Sequence, residues 1–183
     1  MKKYLKILLL VITISLVTGC GKLYSYEDVV NKTKNKLAND LVIEDPGYIN
    51  RDNGLKAYTA YLKRDKFKKI TIINGQDYTL PVSSNILCTD FAEVYLVPKF
   101  TEFKNKSRYD FNTLYKMKVE SVSSGHHPRC KILTITIDCT EEEKYLNLIY
   151  RFKEELKEDG LYLNETGINR YEIYCENGQK YSR

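Results

Sequence analysis

The chain has 183 residues, of which 43% are hydrophobic and 29% charged, and its formal net charge is +5 at pH 7. That length suits about one domain. The apolar content is enough for a core, which excludes collagen-like, low-complexity, polytopic membrane and wholly disordered classes.

Residues 1–19 read as a leader rather than as part of the fold. Lys2, Lys3 and Lys6 make its start positive, and an apolar run of about 12 residues follows to Thr18. A spanning helix needs about 20, so the run reads as a signal-peptide core. It ends Val17-Thr18-Gly19-Cys20. An aliphatic residue, two small residues and a cysteine at this spacing resemble the lipobox of bacterial lipoproteins. The resemblance implies cleavage after Gly19 and a diacylglycerol thioether on Cys20. It also implies a location at the cell membrane, lipid-anchored on the extracytoplasmic face. Two or three acyl chains anchor stably where one does not, at about 0.8 kcal/mol per buried methylene. Without the three leader lysines the formal net charge falls from +5 to +2. A nucleic-acid partner needs a concentrated basic face, so none is expected. The densest basic cluster, residues 63–69, contains Asp65 and reads as a solvated face, with anionic lipid or wall polymer as the sharper alternative.

Residues 20–24 are then a lipidated tether and 25–183 an ectodomain of one α+β unit. Ser25 with Asp28 predicts a capped helix, carried on by Tyr26, Val30, Thr33, Leu37 and Leu41 at helical spacing. Pro46, Gly47, Asn50 and Asn53 mark a loop. Leu55, Tyr58, Tyr61 and Leu62 suggest a second, short helix. Residues 69–73 and 76–80 read as a hairpin about Asn74-Gly75, a pair suited to a type I′ turn. The run from Ile72 to Pro81 also resembles an N-G-x-x-Y-x-L-P hairpin of lipoproteins and exported proteins of low-GC Gram-positive bacteria. Ala92–Val97 is expected as a strand ended by Pro98. Tyr115, Met117 and Val119 alternate with charged residues as a half-buried strand would. Residues 131–138 are a further strand. Thr140 with Glu143 suggests a capping box, and Tyr145, Ile149, Phe152 and Leu156 then form one stripe of a long helix stopped at Gly160. Residues 170–175 return to strand, with a turn at Asn177-Gly178. The expected architecture is a mostly antiparallel sheet of about 5–7 strands. An N-terminal helix and one long helix in the C-terminal half pack on it.

Besides Cys20, the cysteines are Cys88, Cys130, Cys139 and Cys175. An even number in an exported chain suggests two disulfides. A strand between Cys130 and Cys139 would hold them about 30 Å apart at roughly 3.3 Å per residue, far beyond disulfide reach. Two pairings remain, Cys88–Cys130 with Cys139–Cys175, or Cys88–Cys139 with Cys130–Cys175. The shared inward phase of Cys139 and Cys175 favours the first. Free, buried thiols are the alternative.

His126 and His127 are the two histidines. Adjacent residues rarely hold one ion together, so no metal, and no other cofactor, is expected. A divergent hydrolase would need one of them beside Cys88, Cys130 or a carboxylate. No Gly-rich phosphate loop, Gly-x-Ser-x-Gly or His-Glu-x-x-His occurs. Of the 16 tyrosines, 15 follow the leader, and tryptophan is absent. Tyrosine suits binding surfaces, with Tyr48, Tyr58 and Tyr61 as first candidates. The function expected is non-catalytic: binding a protein, peptide or cell-wall ligand, or another envelope component, with the membrane as partner through Cys20. The hydrolase built on His126 and His127 is the alternative.

Overall fold

The computed structural model describes residues 23–45, 47–50, 55–77, 84–106, 111–124 and 128–181. Residues 1–22, with Cys20 among them, and both histidines lie outside these.

Ser25 opens helix α1 (Tyr26–Thr33) with the expected capping box: its hydroxyl accepts from the Asp28 N–H, and the Asp28 carboxylate accepts from the Ser25 N–H. The helix is shorter than the apolar spacing suggests. Asn35 adopts a φ of +64°, a left-handed conformation that asparagine tolerates and a continuing helix forbids. Leu37 and Ala38 still reach the core, from a turn.

Eight strands follow among the described residues, in two sheets. The first sheet contains β1 (Leu41–Ile43), β2 (Tyr48–Asn50), β3 (Leu55–Leu62), β4 (Asp65–Asp77) and β5 (Ser84–Thr89). Its path is β1-β3-β4-β5, β2 also pairs with β3, and every pairing is antiparallel. The second sheet is β6 (Lys118–Ser123), β7 (Lys131–Ile137) and β8 (Tyr171–Cys175). β6 and β7 are antiparallel, whereas β7 and β8 are parallel. Parallel neighbours need a long crossover. Here it is the long helix α4 (Glu142–Glu158). The fold is therefore α+β and mostly antiparallel as expected, but its eight described strands form two sheets instead of one sheet of about 5–7, and β7–β8 is a parallel pair.

Several elements differ from their sequence expectation, among them residues 48–50, which pair as β2 within the stretch expected as a loop. Residues 55–62 form β3 and not a helix. Tyr58, Ala60 and Leu62 are the buried set, with Thr59 exposed. Ala60 completes a period of two that the larger residues alone conceal, and pairing along β4 outweighs local propensity. Asn74-Gly75 is not a turn. β4 runs straight through it, and the hairpin closes at Lys63-Arg64. Asn74 is fully buried, accepting from the Tyr24 N–H at 3.2 Å and donating to the Tyr24 carbonyl at 2.8 Å. It stands in for a strand partner and clamps the start of the domain. Gly75 is required by crowding: a Cβ there would lie 2.3 Å from Leu55 Cδ2. Tyr78–Pro81, the rest of that motif, lie outside the described residues.

Ala92–Val97 is helical. A π turn (Ala92–Leu96) leads into α2 (Val97–Lys106). Phe91, Ala92, Tyr95, Leu96, Phe100 and Phe103 are buried, at helical and not alternating spacing. The Val97 N–H reaches back five residues to the Ala92 carbonyl. This wide turn falls beside Pro98, which has no N–H to continue an ordinary ladder. Short helix α3 (Phe111–Lys116) then takes in Tyr115, and β6 begins only after Met117.

Residues 131–137 are the strand expected. The start of α4 is built differently from the expected capping box. Asp138 caps a 3-10 turn (Cys139–Glu141), accepting from the Thr140 N–H at 2.9 Å and its hydroxyl at 2.6 Å. Gly160 ends α4 with φ +67°. The core is continuous across both sheets and the helices, with Phe152 of α4 packed on Phe100 and Phe103 of α2.

Candidate functional site

Cys88 is bonded to Cys130 and Cys139 to Cys175, with α carbons 5.1 and 5.4 Å apart. The first bond ties β5 of one sheet to the residue preceding β7 of the other. The second ties the entry of α4 to the end of β8. Neither bond leaves a thiol, so these four cysteines present no nucleophile. Beside the first bond, the Asp90 carboxylate accepts from the Thr71 N–H at 2.7 Å, and Arg129 donates to the Thr71 hydroxyl at 2.9 Å. Burial is the larger influence on Asp90 and pushes its carboxyl upward, against the hydrogen bonds from Thr71.

A broad concavity lies at the other bond. It is an open groove of about 1800 Å³ between α4, residues 165–167, β8 and the segment at Lys180-Tyr181. The helix supplies Glu142, Leu146, Ile149, Tyr150 and Lys153 to it. Their spacing is that of one helical stripe, adjoining the stripe that enters the core. The other wall carries Arg170, Tyr171, Glu172 and Ile173 of the β8 region.

Several charges in this groove are held in pairs. Lys180 donates to Glu172 at 2.6 Å, the Tyr174 hydroxyl donates to its other oxygen at 2.8 Å, and Arg170 lies 3.7 Å away. The Lys180 hydrogen bond chiefly holds the Glu172 carboxyl below its usual range, with help from Tyr174. Lys153 stands 3.6 Å from Glu165 and over the Tyr171 ring at 5.3 Å. The Tyr181 hydroxyl donates to Glu142. Tyr150 stands out from the helix, 63% exposed. Such a surface offers aromatic faces and a fixed pattern of hydrogen-bonding charges, which suits an extended polar ligand.

Burial pushes the Tyr171 phenol from 10.0 up to about 12, assisted by the nearby charge of Glu165 and the hydrogen bond to it. A raised phenol favours the protonated, folded state. Its contribution is complete below pH 10 and is lost as the pH rises through about 12. The phenolate absorbance difference between wild type and Tyr171→Phe is expected to titrate near 12. Glu165→Gln is expected to lower that midpoint only in part, because burial is the larger cause. A wild-type midpoint near 10 would mean that Tyr171 is open to water.

The tyrosines singled out from the sequence are not those of the groove. Tyr58 is buried, 1% exposed, with no partner for its hydroxyl among the described residues. Tyr61 is half-buried beneath Lys69, whose ammonium lies 3.9 Å from the ring centroid. The side chain of Tyr48 lies outside the described residues, as do His126 and His127. A signal for the groove tyrosines was present: Tyr150 lies in the clearest helix, and Tyr171 and Tyr181 follow its crossover. Their gathering depends on the parallel pairing of β8, which no local pattern announces.

Among the described residues, no three His, Cys, Asp or Glu side chains converge as a metal site would need, and no helix is long and apolar enough to cross a membrane. Comparison of the chain with known protein families, curated proteins and solved structures finds no match.

Proposed function

We propose that the protein is a membrane-anchored extracytoplasmic lipoprotein whose domain holds a peptide or cell-wall fragment in the α4–β8 groove without transforming it. The groove carries this reading: it is open and lined by tyrosines, and Glu172 with Lys180, Glu165 with Lys153 and Glu142 with Tyr181 are paired along it. The lipobox at Val17–Cys20 supports the anchor. Two disulfides support an oxidising, extracytoplasmic compartment.

The test has two readouts. Intact mass of the protein from its native membrane is expected to show cleavage after Gly19 and acyl mass on Cys20, and an unmodified soluble form would sink the anchor. Calorimetry against purified wall peptides is expected to give binding that Tyr150→Ala and Arg170→Ala each weaken. Turnover of those peptides, or binding indifferent to both changes, would sink the groove reading.

A further inference from the structure

The β3–β4 hairpin carries a feature that the groove does not use. Across this hairpin Tyr61 pairs with Lys69, but the next residue, Leu62, pairs with Asp65. Lys66, Phe67 and Lys68 are therefore extruded from the ladder as a bulge. Phe67 is 99% exposed. The bulge stands on a fixed base. The Tyr95 hydroxyl donates to the Lys68 carbonyl at 2.9 Å, and the Lys68 ammonium lies 4.8 Å from the Tyr95 ring centroid. On the other side the Lys63 and Arg64 N–H groups donate to Asp40, and the Arg64 guanidinium pairs with its carboxylate at 3.3 Å. Lys69 is paired with Glu44 at 2.7 Å. Five basic side chains thus surround the bulge against the carboxylates of Asp40, Glu44 and Asp65. Lys63 and Lys66 have no ion pair among the described residues.

An aromatic ring held clear of its own domain and ringed by lysines matches an anionic bilayer surface. The ring gains by leaving water, and each lysine gains from the surface potential. A soluble polyanion would reward the lysines alone. We propose that Phe67 inserts into the headgroup boundary of the membrane that holds the protein, with Lys63 and Lys66 on anionic lipid headgroups. This rests on the lipid anchor at Cys20.

The clamp on Tyr24 makes the geometry specific. Tyr24 is four Cα steps along the chain from Cys20, a reach of at most about 14 Å. The regular ladder of β4 runs from Asn74 to Lys69, about 17 Å at strand rise, and Phe67 lies beyond its end. A bilayer that near to Tyr24 meets Phe67 only if β4 lies along the surface instead of standing on it. The hairpin then acts as a second foot.

The chain contains no tryptophan, so Phe67→Trp introduces a single reporter at a position that bears no packing. The full-length variant is purified from membranes and reconstituted into vesicles of phosphatidylglycerol and phosphatidylcholine. Its emission is expected to shift to shorter wavelength and to be quenched by acyl-brominated lipid. Neutralising Lys63 or Lys66 to Gln in an unlipidated chain is expected to weaken vesicle binding about fivefold each. Water-like, unquenched emission from a sample whose mass shows acylated Cys20 would overturn the proposal while leaving the anchor intact. A sample without acyl mass would fail the anchor reading, and added vesicles would still test the bulge. A response to soluble polyphosphate equal to that to vesicles, without bromolipid quenching, would overturn the proposal in favour of a wall polymer. Unchanged thermal unfolding of the tryptophan variant confirms that the fold is intact.

Discussion

Loss of the Cys139–Cys175 bond, by substitution of both residues with alanine, is expected to lower stability by about 4 kcal/mol in the chain-entropy account. The two residues are 36 apart in sequence, and those of the Cys88–Cys130 bond are 42 apart, so the second bond constrains the unfolded chain to a similar degree. A domain stability of about 5–15 kcal/mol leaves little after both are removed. The single-bond variant is expected to melt roughly 10 °C lower, and the fully reduced wild type to lose cooperative unfolding near 37 °C. Circular dichroism on oxidised and reduced protein measures both. The local consequence differs between the bonds. Breaking Cys139–Cys175 frees the entry of α4 from the end of β8, so it should also spoil the groove. Breaking Cys88–Cys130 loosens one sheet from the other and should leave wall-peptide affinity nearer to normal. Equal melting temperatures with and without reductant would contradict the stabilising role of both bonds.

Phe152→Ala is expected to cost about 3–5 kcal/mol, the range for deleting a fully buried phenylalanine. Phe152 is 1% exposed. Its ring meets Phe100 edge-on with centroids 5.1 Å apart and lies 5.5 Å from Phe103. Truncation removes the ring that both α2 aromatics rest on, and the cavity cannot close without moving a helix. Denaturant unfolding should show the loss with little change in slope, and Phe152→Leu should recover much of it. A cost below about 1 kcal/mol would mean that α2 and α4 are not packed as described.

The parts of the fold legible in the sequence are those whose signal is local. Ser25 with Asp28 capped a helix because the box needs only four consecutive residues. The Tyr145–Leu156 stripe marked α4 because its apolar face is unbroken, and Gly160 ended it by conformation alone. Elsewhere a local signal served a tertiary purpose. Asn74-Gly75 has the chemistry of a turn, yet the asparagine amide holds Tyr24 and the glycine makes room for Leu55. Ala60 is too small to announce a strand but completes one. Ala92–Leu96 alternates well enough to pass for a strand, while Phe100 and Phe103, further on, reveal the helical period. The disulfide pairing favoured by inward phase is the one present. The groove was illegible for a different reason: its walls are thirty residues apart and meet only through the crossover that lays β8 beside β7.

Each cysteine of the domain is bonded to the next one along the chain, Cys88 to Cys130 and then Cys139 to Cys175. A chain threaded through a membrane from its N-terminus releases its thiols in that same order. With Cys20 taken up by the proposed lipid, Cys130 emerges when Cys88 is the one earlier thiol, and that pair can close before Cys139 and Cys175 arrive. For a chain exported as proposed, oxidation in order of emergence yields these two bonds, and maturation calls for an oxidant more than for an isomerase.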